Sequence, residues 1–171
     1  MENLENLKKW SALHGMPVVT VSGGKRIGTC EDFYFEPKSG SVYALRVKTG
    51  LLSHTLVPGT SINAIGQDAI TIPDEGVLRE QSDAGGTATL LSAENLKNYK
   101  VMSEGGTLIG HIGTTLLDIS TANDLHVVAF ELSGGIREKL SGKHPTFTAS
   151  QVTSYGQDVL VIPEDVAQSL R

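Results

Sequence analysis

Apolar and polar residues alternate over short distances along most of this chain, and the alternation stops at breaks rich in Gly, Pro and Ser. Val18 to Val21 is an apolar run that ends at Ser22-Gly23-Gly24, a turn signal because glycine tolerates positive φ. Ile27 to Phe35 predicts a long strand, ended by Pro37 and the Ser39-Gly40 pair. In Ser41 to Lys48, Tyr43, Leu45 and Val47 alternate with Ala44, Arg46 and Lys48, the period of a half-buried strand. Leu52 to Val57 and Ser61 to Ile65 follow, separated by Pro58-Gly59. Gly66-Gln67-Asp68 then predicts a three-residue hairpin connection, with glycine at a left-handed position and Asp bonding its own backbone. Ala69 to Ile72 is the returning strand, with Ile70 and Ile72 inward, and Pro73 ends it because it cannot donate to a ladder.

The same pattern is written twice. "IGQDAITIP" from Ile65 recurs as "YGQDVLVIP" from Tyr155, at a spacing of 90 residues. "GGKRIG" from Gly23 lies over "GGTLIG" from Gly105 at a spacing of 82. "SVYALRV" from Ser41 lies over "DLHVVAFEL" from Asp124. The change in spacing places about eight extra residues of the second copy between Leu132 and Phe147. The expected organisation is therefore a first unit over 1–80, a linker over 81–91 and a second unit over 92–171. Gln81 to Thr89, "QSDAGGTAT", is small, polar and Gly-rich, as a linker requires.

Short helices are expected after each copy. Pro73-Asp74-Glu75 and Pro163-Glu164-Asp165 both place a proline and carboxylates where a helix begins. A further helix is expected over Leu4 to Leu13, with Leu4, Leu7, Trp10 and Leu13 on its apolar side, lying as a lid on the first unit. About six short strands per unit are too few for a sandwich of normal size. Closing each set into a small barrel removes the exposed edges. The predicted class is all-β: two tandem small barrels of about six strands each, with short terminal helices.

Composition narrows the function more than it names it. The 14 Lys and Arg against 19 Asp and Glu leave a formal charge of −5, which argues against a broad phosphate-neutralising face and makes nucleic acid an unlikely partner. Cys30 is the only cysteine, so an intramolecular disulfide and a Cys-based zinc site are excluded, and it reads as a buried hydrophobe. "MENLENLKKW" has no apolar core of a signal peptide, and no apolar run is long enough to span a bilayer. A cytoplasmic location is the expectation.

No residue set specifies a reaction. "GGKRIG" lacks the order of a phosphate loop and opens a strand, so it reads as a hairpin turn with Lys25 and Arg26 exposed. Of His14, His54, His111, His126 and His144, only His111 and His126 are candidates to approach each other across neighbouring strands, and without further ligands they make no metal site. Asp68 and Asp158 recur as hairpin residues and need no acid-base role. The expectation is no enzyme, no cofactor, no metal and no catalytic residue. The candidate partner-binding loop is the insertion "GGIREKLSGKH", which gathers Arg137, Lys139, Lys143 and His144 with Glu138 the only acid.

The order of the Gly-x-x-Ile-Gly turn, an acidic strand end, a "SVYALRV" strand and Ile-Gly-x-Asp-x-Ile-x-Ile-Pro resembles the PRC-barrel family. This is the small β-barrel of the cytoplasmic part of the photosynthetic reaction centre H subunit and of the C-terminal half of the ribosome maturation factor RimM. The resemblance covers roughly residues 8–80 and 92–170, with Ile119 in place of Pro37 and Tyr155 in place of Ile65 in the second copy. It implies a non-enzymatic module that docks onto other proteins, with peripheral association with a membrane complex among its forms. The rivals are a ribosome- or RNA-associated maturation factor, and a small-ligand binder or photosynthetic-complex accessory protein.

Overall fold

A computed structural model of the chain describes residues 6–80 and 89–171, so the expected linker lies outside the described residues except at its end. The first copy contributes β1 (Leu7–Lys9), a one-turn helix α1 (Trp10–Leu13), β2 (Pro17–Thr20), β3 (Arg26–Phe35), β4 (Val42–Lys48), β5 (His54–Pro58), β6 (Ala64–Ile65) and β7 (Ile70–Ile72). The second contributes β8 (Leu91–Ser92), α2 (Ala93–Leu96), β9 (Lys100–Ser103), β10 (Leu108–Asp118) and β11 (His126–Ser133). It continues through α3 (Ile136–Ser141), β12 (Thr146–Thr148), β13 (Ser154–Tyr155), β14 (Val159–Ile162) and α4 (Glu164–Ser169).

The two copies build sheets of the same topology, in the orders β5-β4-β3-β2-β7-β6 and β12-β11-β10-β9-β14-β13. In both, the strand before the Gly-Gly turn pairs in parallel with the strand after the Gly-Gln-Asp corner, as Val18 with Ile70 and Val101 with Leu160. The all-β class stands, but the barrels are not closed by a ladder. Among the described residues no pairing joins β5 to β6; a 3-10 turn over Gly59–Ser61 carries the chain across that gap.

Each sheet instead takes its seventh strand from the other copy. β1 runs antiparallel to β10, with Lys9 opposite Leu116, and β8 runs antiparallel to β3, with Ser92 opposite Tyr34. The exchange is reciprocal: the strand and one-turn helix that lead one copy lie on the sheet of the other. It corrects the expected helix over Leu4 to Leu13, since Leu7 to Lys9 are extended, helix begins only at Trp10, and Leu4 lies outside the described residues. A lone helical turn fixes several dihedrals for one hydrogen bond, whereas a strand beside β10 satisfies backbone groups immediately. Leu91, expected at the end of a linker, is likewise a strand residue.

Packing follows the exchange. The two copies share one apolar cluster running from Trp10, Leu13 and Phe33 to Val101, Phe130, Ile162 and Leu170. The Trp10 ring meets Phe33 edge-on at 4.9 Å between centroids. The two sheets also join directly where β4 and β11 begin. There the Val42 N–H donates to the Leu125 carbonyl at 3.0 Å and the Val127 N–H to the Gly40 carbonyl at 2.8 Å. Because Ser41 and His126 face each other antiparallel at this bridge, β4 and β11 run outward from it in opposite directions.

A buried carboxylate ties the copies together. Asp32, on β3, accepts the Phe33 N–H at 2.7 Å and the Glu94 N–H, at the start of α2, at 3.1 Å. Burial nevertheless raises its carboxyl above the ordinary range, against those hydrogen bonds. The folded chain therefore keeps the Asp32 proton to higher pH than the unfolded chain, and stability falls as pH rises from about 4 through the raised value. Asp32→Asn keeps an acceptor oxygen but has no proton to release. Denaturant titrations should show wild type losing stability relative to the variant as pH rises from about 4 to 7. A constant difference between them would refute this account of Asp32.

The repeated phrases have backbone reasons. Gly24 and Gly106 take φ of 63° and 90° in the turns before β3 and β10. At the Gly-Gln-Asp corners the N–H of Gly66 donates to the Ala69 carbonyl at 2.9 Å, and that of Gly156 to the Val159 carbonyl at 2.8 Å. Neither Gly66 nor Gly156 has positive φ, contrary to expectation. A Cβ at Gly156 would instead lie 3.1 Å from the Val159 carbonyl oxygen. After Pro73, the Asp74 side chain accepts the Gly76 N–H at 2.8 Å and Glu75 pairs with Lys25 at 2.8 Å. In the second copy Glu164 accepts the Gly105 N–H, so both copies clasp the Gly-Gly turn with an acid from the segment after the last strand.

Candidate functional site

The loops that leave β4 and β11 occupy equivalent places at the two outward ends of the molecule. The first, residues 49–53, is tight: the Thr49 N–H donates to the Ser53 carbonyl at 2.9 Å, and the Thr49 hydroxyl donates to that of Ser53 at 3.0 Å. Its apex holds Leu51 and Leu52, 85% and 91% exposed. The second contains the insertion and folds into α3, where Ile136 and Leu140 are 57% and 82% exposed. Leu108, the first residue of β10, is 57% exposed. Large aliphatic side chains thus stand in water on both equivalent loops, although the loops share no sequence.

The predicted partner-binding residues fall on this second end. Lys139, Lys143 and His144 are exposed, and the Arg137 side chain lies outside the described set. Glu138, the one acid, turns back toward the sheet: its carboxylate accepts the Ser133 hydroxyl at 3.1 Å and the Gly134 N–H, with His144 Nδ1 at 3.8 Å. The Gly134 N–H first of all, and then the Ser133 hydroxyl and the histidines, hold that carboxyl below its ordinary range. The outer surface of α3 therefore presents lysine and aliphatic carbon. Sequence reasoning had the cations and missed the leucines. Their signal was apolar residues inside segments otherwise built as turns, as in "TGLLSH".

Other candidates disperse. His111 pairs with Ser133 and His126 with Asp118, at opposite ends of the same ladder, so the two histidines do not meet. Among the described residues no three His, Cys, Asp or Glu side chains cluster as a metal site would need. Asp68 and Asp158 are exposed, and neither side chain bonds its own turn among the described residues. Burial first, and the nearby Asp32 second, push the Cys30 thiol up to about 12, which keeps it protonated. Where α1 and α2 meet lies a cleft of about 150 Å³ lined by Trp10, His14, Glu94 and Lys97 among others. Its one carboxylate, Glu94, is engaged by the Trp10 indole N–H at 3.3 Å and stands 3.7 Å from His14. No described helix is long and apolar enough to cross a membrane.

The Gly-x-x-Ile-Gly turn, the acidic β3 and the Ile-Gly-Gln-Asp corner all lie in the first copy. Residues 5–78 match the PRC-barrel domain family. The match spans β1 to the 3-10 turn after β7, so it includes the strand that the PRC-barrel region lends to the second sheet. Among curated proteins no match to the chain is found. The glycines and apolar alternation that carry the PRC-barrel match lie in the framework, whereas the exposed leucines lie in its loops.

Proposed function

We propose that this chain is a non-enzymatic docking scaffold, two PRC-barrel-type units locked into one body that offers a binding end on each side. The second unit is read as a PRC-barrel from its matching strand order, including the parallel pair at the Gly-Gln-Asp corner. The observation that carries the proposal is the recurrence of exposed aliphatic pairs, Leu51 with Leu52 and Ile136 with Leu140, on equivalent loops of unrelated sequence. A single exposed leucine is ordinary, but the same feature kept at both ends points to surfaces that are covered in use. A body held rigid by exchanged strands fixes the relation of its ends, which lets two weak contacts reinforce each other. The partner at the Leu51-Leu52 end is read as another protein, whose apolar pocket takes the two side chains.

A photo-reactive residue at position 52, tested in the native cell, checks this end. The expected outcome is a discrete adduct that is absent when the same residue stands at exposed Ser150 and lost with Leu51→Asp. Identical adduct patterns at the two positions would remove the basis for a docking end.

A further inference from the structure

We infer that the α3 end docks onto an anionic lipid surface, with Leu108, Ile136 and Leu140 entering the boundary between headgroups and acyl chains and Lys139 and Lys143 facing lipid phosphates. The inference rests on reading the outer loops as docking elements and assigns the occupant of the second one. Ile136 and Leu140 are one helical turn apart and share a face of α3. The start of α3 sits against the β10 strand, since a Cβ at Gly135 would lie 3.3 Å from the Ile109 carbonyl oxygen, which brings Leu108 alongside. All three residues lie beyond His111 and Ser133, the last pair of the β10–β11 ladder, and Leu108 is held there by its pairing with Met102 of β9. Gly142, at φ 70°, ends the helix and turns the chain before Lys143.

Charge selects the occupant. The chain as a whole carries −5, so an anionic membrane repels its body. At α3 the sign reverses locally, because Arg137, Lys139 and Lys143 outnumber Glu138, whose carboxylate is engaged by Gly134 and Ser133 while both lysines stay in water. An aliphatic face flanked by lysines is the chemistry of segments that lie in a bilayer interface. A fluid interface also accepts side chains from two separate elements without requiring a shaped pocket. The loop at the other end, residues 49–53, carries no cation of its own, so the lipid occupant is assigned to the α3 end alone.

The test is co-sedimentation of the full chain with phosphatidylcholine vesicles prepared with and without phosphatidylserine. The expected result is binding that requires phosphatidylserine, weakens with added salt, and drops about fivefold for each of Lys139→Glu and Lys143→Glu. Leu140→Glu should reduce binding at least about tenfold while leaving the thermal midpoint unchanged, because the side chain is already in water. Leu52→Glu, at the opposite end, should bind vesicles as wild type does. Absent binding, equal binding to vesicles without phosphatidylserine, or retention by Leu140→Glu would each overturn the inference. So would salt-sensitive binding to RNA in place of vesicles. Since the cross-linking at position 52 reads the other end, failure here leaves the protein-docking result standing or falling by itself.

Discussion

Gly28→Ala should cost about 3 kcal/mol of stability, or prevent folding, because a methyl group there meets backbone. A Cβ at Gly28 would lie 2.0 Å from the Lys48 carbonyl oxygen, and β4 cannot move aside without breaking its pairing with β5. Gly110→Ala should act in the same direction, with its contact at 2.5 Å from the Ser133 carbonyl oxygen. This is the physical content of the repeated Ile-Gly pair: where two paired antiparallel strands end their ladder, they approach so closely that only hydrogen fits. Gly66→Ala provides the contrast. Its nearest contact is 3.4 Å and its φ is not positive, so the expected loss is under about 1 kcal/mol. Urea titrations of the three variants measure the difference, and equal losses at positions 28 and 66 would refute it.

Trp10→Ala should cost about 3–5 kcal/mol, more than its place near the chain start suggests. The indole is buried, packs edge-on against Phe33 of the first sheet and donates to Glu94 of the second copy. The residue before it, Lys9, is paired with Leu116 of the second sheet and bound to Glu131 at 2.7 Å. Removing the ring therefore loosens the joint between the copies as well as the core. Thermal unfolding followed by near-UV and far-UV circular dichroism should give one transition for wild type, as a shared core requires, at a midpoint well above that of the variant. Two separate transitions in wild type would mean that the copies unfold independently.

The sequence carried the framework of each copy and little of its connections. Val18 to Val21, Ile27 to Phe35 and Ser41 to Lys48 could be placed within a residue or two from their apolar content and their Gly and Pro breaks, but the alternation read in the third did not hold, since Tyr43 is exposed and Ala44 is buried. The length of the insertion was legible from spacing alone, and it forms α3. The exchanged strands were not legible. Leu7-Lys8-Lys9 and Leu91-Ser92 are too short to show a period, and the groups that make them strands lie on the distant edges of β10 and β3. Closure failed as an expectation for a related reason. A seventh strand from the other copy covers part of each sheet, so edge protection did not require a closing ladder. At the docking ends, Lys139 and Lys143 announced themselves by charge. The inward turn of Glu138 depended on Gly134 and Ser133, which are placed by the fold.

The reciprocal lending of leading strands has a consequence for the order in which the protein matures on the ribosome. Leu7 to Lys9 leave the exit tunnel well before their acceptor on β10, which is translated about a hundred residues later. Leu91 and Ser92, by contrast, emerge to find β3 already made. The nascent chain thus completes its earlier sheet while Leu7 to Lys9 still wait for their edge, so the two halves of the exchange are made at different times.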